Sequence, residues 1–505
     1  EVLARYHFPG AAQLAKNPAA AKLKEIWGLP ESRRLVEQTL QKLSHAPKTL
    51  YGGQVTPAQD ERGAAILRPL LDDLLNHESF LQVRGTADRT AEWTLLVHLP
   101  SDRRNAWTAG LSELLLLWNL GAPTTNAVEG FDGWELKRKD APNVIRYVLA
   151  GDWLALGVGH NALPAFEEAV RRVKAGGRPI ANASTYWLEA ELNLPHLVET
   201  LSLSPAFKWP QTKLSVVGTG ENLRSNARMV FPAPVTGRLD PWRVPTNLIN
   251  EPLISFTAAR GIAPLLSDLK TLQELGFNPA PNELYAWAQS AVAFQSFVAF
   301  PFAGGADHLP RVADRAPSLL GTNWQQRGLT QIEWQATNTQ VFWKALPFIT
   351  PYLRPARFGG ADFVVGGLFP AVPVTNPPPG DLLVQFLGRK DLVYYNWEIT
   401  EARLAQWRVM AQLFAVIADK PQLTTNSAAL PWLIKVESQL GNTVTEIASA
   451  SPKEWTLVRK SHLGFTGAEL VGLARWLEST NFPSLSFDLP RDRPLPSLKP
   501  PAAQE

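Results

Sequence analysis

The chain predicts an α+β fold: a helical N-terminal region followed by tandem small units of mixed, mainly antiparallel sheet and helices. Three observations carry this. Apolar residues recur at the helical period of about 3.6 in some segments and at the strand period of about 2 in others. Glycine and proline punctuate the boundaries between the two kinds of segment. A composition 45% apolar and 19% charged over 505 residues supplies apolar surface for more than one core.

The helical region covers 1–85. Ala11–Trp27 is rich in alanine and lysine and stops at Gly28 and Pro30; Glu31–Leu43 follows. Thr56-Pro57 opens a third helix, because threonine caps and proline suits the first turn. Its Ile66, Leu67, Leu70, Leu71, Leu74 and Leu75 form one stripe. The first α+β unit, 86–180, begins with the strand Ala91–Leu99, where Trp93, Leu95, Val97 and Leu99 share a face. A helix over Asn105–Leu120 and strands at Gly133–Arg138, Val144–Ala150 and Trp153–Val158 come next. The helix Leu163–Val173 then ends at Gly176-Gly177.

The second unit, 181–281, opens with the strand Tyr186–Leu192. It continues through a helix from Pro195, a hairpin across Gly218-Thr219-Gly220, the strand Leu253–Ala258 and a helix near Leu265–Leu275. The third, 282–387, holds Phe294–Phe300, Gln331–Gln335, Val341–Lys344 and Asp362–Val365. Prolines 347, 351 and 355 and the run Pro377-Pro378-Pro379 mark its loops. The fourth, 388–480, holds Leu392–Trp397, the helix Glu401–Ile417, strands Val444–Ala448 and Trp455–Val458, and the helix Gly467–Leu477. The opening strands lie about a hundred residues apart, a spacing of repeated small domains. A turn and an acid precede an aromatic strand residue at Gly151-Asp152-Trp153, Ala361-Asp362-Phe363 and Lys453-Glu454-Trp455. Residues 481–505 form a proline-rich tail.

The absence of cysteine excludes disulfides, thiolate nucleophiles, iron–sulfur clusters and cysteine zinc sites. It also suits a protein living in an oxidising compartment. The net charge of +3 is spread along the chain without the basic stripe that nucleic acid requires, so no nucleic-acid partner is expected. Residues 284–306 are long enough to span a bilayer, but Gln289, Ser290, Gln295, Ser296, Pro301 and Gly304-Gly305 fit a buried helix running into a buried strand better. The first residue is Glu1, which fits a leader trimmed ahead of it.

Tyr6-His7-Phe8-Pro9-Gly10, Ala20–Trp27, Leu35–Leu43 and Lys460–Gly467 resemble segments of a group of uncharacterised exported bacterial proteins. The resemblance implies export to the periplasm or cell envelope, a domain of unknown function and an N-terminal membrane tether. The expected tether is absent from this chain.

Gly157-Val158-Gly159-His160 has the setting of a dinucleotide-binding turn, between strand and helix. The preceding elements form a meander, however, and no acid follows at the required distance, so a plain glycine turn and no cofactor are expected. The eight histidines form no HxH or HExxH pair, and the hydrolase elbow and phosphate loop are absent. No catalytic residue and no metal site are therefore assigned. In the strand at 186–192, alternation places Trp187, Glu189 and Glu191 on one face. Same-face positions lie about 7 Å apart, which suits sugar binding or paired-acid chemistry, whereas a solvated strand face is the ordinary reading. Trp93, Trp134, Trp334, Trp343, Trp118 and Trp407 are expected in cores, which leaves Trp187, Trp209, Trp242 and Trp324 for a binding surface. The leading expectation is a non-enzymatic scaffold or binding module for a protein or glycan. A glycan hydrolase using Glu189 and Glu191 and a subunit of a cell-envelope assembly stand as alternatives.

Overall fold

The computed structural model describes residues 1–484 except 52–54, 86–89, 138–142, 180–184, 201–207, 291–294, 321, 370–376, 419, 421 and 424–425. The expected tail at 481–505 therefore lies almost wholly outside the described residues. The chain is α+β. Most strands fall on or beside segments expected as strands, whereas those at Val2–Phe8, Ser79–Gly85, Thr124–Val128, Glu283–Gln289 and Tyr352–Phe358 form where none is expected.

In order, the first part of the chain forms β1 (Val2–Phe8), α1 (Ala11–Leu14), α2 (Ala21–Trp27), α3 (Pro30–Ser44), α4 (Ala46–Tyr51), α5 (Pro57–Asn76), β2 (Ser79–Gly85) and β3 (Ala91–His98). It continues with α6 (Ser101–Leu117), β4 (Thr124–Val128), β5 (Phe131–Lys137), β6 (Asn143–Ala150), β7 (Trp153–His160), α7 (Pro164–Gly176), β8 (Leu188–Asn193), α8 (Leu194–Thr200), β9 (Gln211–Gly218) and β10 (Leu223–Val230). The remainder forms β11 (Leu253–Arg260), α9 (Ala263–Leu266), α10 (Lys270–Glu274), β12 (Glu283–Gln289), β13 (Ser296–Pro301), α11 (Gly305–Leu319), α12 (Thr322–Gln326), β14 (Ile332–Gln335), β15 (Gln340–Trp343), β16 (Tyr352–Phe358) and β17 (Ala361–Gly367). It closes with α13 (Gly380–Leu387), β18 (Leu392–Ile399), α14 (Thr400–Ile417), α15 (Ala429–Glu437), β19 (Asn442–Ser451), β20 (Glu454–Ser461) and α16 (Gly467–Glu478).

All these strands join one sheet, and every pairing is antiparallel. From one edge the order is β4-β5-β6-β7-β3-β2-β1-β8-β9-β10, and β10 pairs with β20. From β20 it runs β19-β18-β11-β12-β13-β17-β16-β15-β14 to the other edge. The two lists are the same topology: each strand from β1 to β10 has its counterpart ten places later. The sheet is thus two equivalent halves, run in opposite directions and joined through their last strands. Ladder pairing is continuous across the positions expected to separate units at 86, 181, 282 and 388.

The expected helical region at 1–85 is bracketed by β1 and β2, which pair with each other in the middle of the sheet. Alternation in Leu3, Arg5 and His7 is too short and too polar to stand out against the helices that follow. The expected helix within 284–306 is the hairpin β12–β13 instead. Tyr285 and Trp287 are buried at period two, and the positions between them are covered as well, so the segment looks uniformly apolar. Pro355, expected in a loop, sits inside β16 beyond the point where β15 stops pairing, where its missing N–H removes no ladder bond. Among the described residues no helix is long and apolar enough to cross a membrane.

Helices cover both faces at the two ends of the sheet. On one face, α7 packs Phe166, Val170 and Val173 onto Phe80, Leu96, Val148 and Ala155. In the other half its counterpart α13 packs Leu382 and Phe386 onto Phe256, Tyr395 and Val365. On the opposite face, α5 and α6 cover the first half through Leu70, Trp107 and Leu115, and α11 covers the second through Leu309 and Val312. The helices α14, α15 and α16 cluster with α2 and α3 around Ile26, Leu35, Trp432 and Leu433.

Candidate functional site

Directly opposed strand residues share a face, so one row can be followed across the sheet. It starts at Val148, Ala155, Leu96 and Phe80 under α7 and reaches His7, Glu189, Ser215 and Asn226. It then passes Val458 and Glu446 to Tyr395, Ala258, Tyr285, Ala299 and Val365 near α13. The two ends of this row are buried, whereas Glu189 through Glu446 are partly exposed. Between the helices α7 and α13 the face is polar. The counterpart strands β11, β12 and β18 carry Phe256, Trp287 and Tyr395 on this face, all buried. The topology therefore does not demand an open, charged face here; the side chains create it.

Glu189 and Glu191 both lie on this face, as the alternation predicts. Glu189 stands 3.8 Å from His7 Nδ1, and Glu191 lies 3.7 Å from Arg5 and 3.1 Å from Lys213. His7 Nε2 is 3.0 Å from Glu78 Oε1, and that hydrogen bond holds the Glu78 carboxyl below the usual carboxylate range. Trp187 departs from the expectation. It precedes β8 rather than sitting in it, and only 5% of it is exposed. Its indole packs with Ala20, Leu223 and Val216 and lies over Gly218, where a Cβ would fall 1.9 Å from the ring. Val216 opposes Leu188, so the ring is on the opposite face from the two glutamates. It cannot stack a ligand beside them. The sequence missed this because period-two reasoning was carried one residue beyond the strand.

The other residues reserved for a binding surface behave similarly where contacts are described. Trp242 lies under the Arg260 guanidinium at 4.3 Å and edge-on to Phe386, and Trp324 packs against Trp343. Trp93, expected in the core, is 46% exposed. The glycines Gly157 and Gly159 lie within β7 rather than in a turn. Cβ atoms there would meet Phe166 at 2.8 Å and Leu163 at 2.7 Å, so both glycines serve the close approach of α7.

Sequence reasoning also missed the basic residues at the junction of the halves. On the open face Lys213 is directly opposite Arg228, and Arg224 is directly opposite Lys460. Like charges so placed repel. Arg228 is answered by a bidentate pair with Glu454 at 2.7 and 2.8 Å, which holds that carboxyl below its usual range, and Lys213 by Glu191. Arg224 and Lys460, both exposed, have no acidic partner among the described residues. No local motif announces the pair, since its members lie far apart in sequence and only the β10–β20 ladder brings them together.

Elsewhere, His45, Asp60 and Glu61 bring possible ligand atoms within 4.8 Å of one another. Asp60 already pairs with His45 at 3.1 Å and with the Lys48 ammonium at 3.2 Å, an arrangement that ties the start of α5 to the α3–α4 corner. A resident ammonium on that carboxylate disfavours a metal ion.

Fold and site together define an α+β protein with one extended antiparallel sheet and a charged face left open between two covering helices. No protein-family model, curated protein or solved structure matches the chain.

Proposed function

We propose that this chain is an exported, non-enzymatic binding module that engages an acidic protein partner across the open middle of its sheet. The observation that carries the reading is the opposed pair Arg224 and Lys460. Holding two cations face to face costs stability, and an acidic group supplied from outside relieves both at once. The neighbouring acids Glu191 and Glu454 are already engaged by Lys213 and Arg228. Titration with polyglutamate at rising salt tests the reading. Binding should weaken steeply with salt, and the double variant Arg224→Glu/Lys460→Glu should bind at least about tenfold more weakly. Equal binding by wild type and variant would dismiss it.

The hydrolase alternative has less support. Its two acids stand beside Arg5, His7 and Lys213, and its stacking indole faces away from them. Glycan turnover abolished by Glu189→Gln would revive it. Export draws its support from the absence of cysteine, and fractionation of the native host should find the protein outside the cytoplasm. The assembly-subunit reading rests on a different feature, the exposed Val409, Phe414 and Val416 of α14. Sedimentation showing a concentration-independent monomer would count against it.

A further inference from the structure

An apolar cavity lies far from the charged face, on the opposite side of the sheet, and owes nothing to the function proposed above. Its volume is about 460 Å³, within the range of small-molecule sites. Val298, Gly366 and Leu353, directly opposed on β13, β17 and β16, form its floor. Val312 and Ala316 of α11 form one wall, and Ser296 is a polar group at one end. Gly366 keeps the floor low: a Cβ there would lie 2.7 Å from Leu353 and 3.0 Å from the Tyr352 carbonyl oxygen.

Behind Ser296 stands a buried cation. Arg403, on α14, is only 8% exposed, and its Nη1 lies 3.5 Å from Ser296 Oγ. The same nitrogen donates to Gln406 Oε1 at 2.7 Å, and the guanidinium rests over the Trp407 ring at 4.9 Å. Arg403 Nε has no hydrogen-bond partner among the described residues, nor has Oε1 of the adjacent, buried Gln295. No carboxylate among them forms an ion pair with Arg403. Glu398, the one acid acting on its charge, already accepts from the Gly467 N–H at 2.8 Å. Burial pulls the arginine down to about 10, the signature of a cation that lacks full compensation. A buried, under-compensated arginine is costly unless a charge arrives to answer it.

We infer that this cavity binds an amphiphile with a single carboxylate. The apolar chain lies on the Val298–Gly366–Leu353 floor beneath α11, and the carboxylate hydrogen-bonds Ser296 and faces the Arg403 guanidinium. The chain buries apolar surface, and the head group supplies the missing counter-charge through charge-assisted hydrogen bonds.

Dodecanoate and dodecanol, titrated calorimetrically below their aggregation thresholds, separate the two parts of the site. Wild type should bind dodecanoate at least about tenfold more tightly than dodecanol. Arg403→Gln should retain dodecanol binding and lose the preference. Ser296→Ala, which leaves the guanidinium in place, should shift the preference the same way if Arg403→Gln does not fold. Ala316→Phe should fill the cavity and abolish binding of both, with an unchanged circular dichroism spectrum and melting temperature as the control. The inference fails if wild type binds neither compound, if folded Ala316→Phe binds both as before, or if both head-group variants keep the full carboxylate preference.

Discussion

His7 shows how one side chain organises the open face. It is buried in β1, between the Glu78 carboxylate at 3.0 Å and that of Glu189 at 3.8 Å. Glu78 also feels Arg178 and His98, and the dominant influence, the hydrogen bond from His7, lowers its proton affinity in the folded state. A carboxyl depressed on folding stabilises the native state above its unfolded value of about 4.3, and that contribution vanishes as pH falls through the lower folded value. Glu78→Gln should therefore be less stable than wild type at neutral pH, and urea melts should show the gap closing as pH falls below about 4. A gap independent of pH would mean that the loss arises from packing alone. Glycine choice is equally local: Gly218 exists so that the Trp187 indole can lie flat on β9.

Secondary elements follow their own capping and turn chemistry. Thr56 accepts from the Gln59 N–H and the Gln59 side chain returns the bond, which completes a capping box at the helix start expected from Thr56-Pro57. The same box at Thr466 and Glu469 begins α16, and the Glu469 carboxylate also binds Arg459 of β20 at 2.7 Å. The box thus anchors the helix to the sheet. Thr466→Ala should cost about 1 kcal/mol, and hydrogen exchange should quicken first in the opening turn of α16. Uniform acceleration across the chain would show that the cap acts only through global stability. The α7 terminus at Gly177, in the left-handed region at φ 72°, matches its sequence signal. Short polar or proline-bearing strands such as β4 and β16 were not legible, because their stability comes from partners already in the ladder.

At the scale of the molecule, two features clamp the halves together: the β10–β20 ladder, and the packing of α2 and α3 against α15 and α16. Trp432 is central to the second clamp. It is buried against Ile26 and Leu35, and its indole N–H donates to Ser32 Oγ at 3.1 Å. Trp432→Ala should cost about 3–5 kcal/mol. If the halves unfold as one, the loss should appear equally in β6–β7, far from the substitution, as seen by hydrogen exchange. Protection retained in β6–β7 alone would show two independent folding units.

The sequence by itself determined most helices, the hairpin across Gly218-Thr219-Gly220 and the α+β class, because period, caps and glycine stops act over a few residues. It also placed Glu189 and Glu191 on one face. Only the tertiary structure decided that the strands form one sheet of two equivalent halves, that Trp187 turns away from those acids, and that Arg224 meets Lys460. Strand partners separated by hundreds of residues are chosen by which faces can be covered together, and no local pattern encodes that choice.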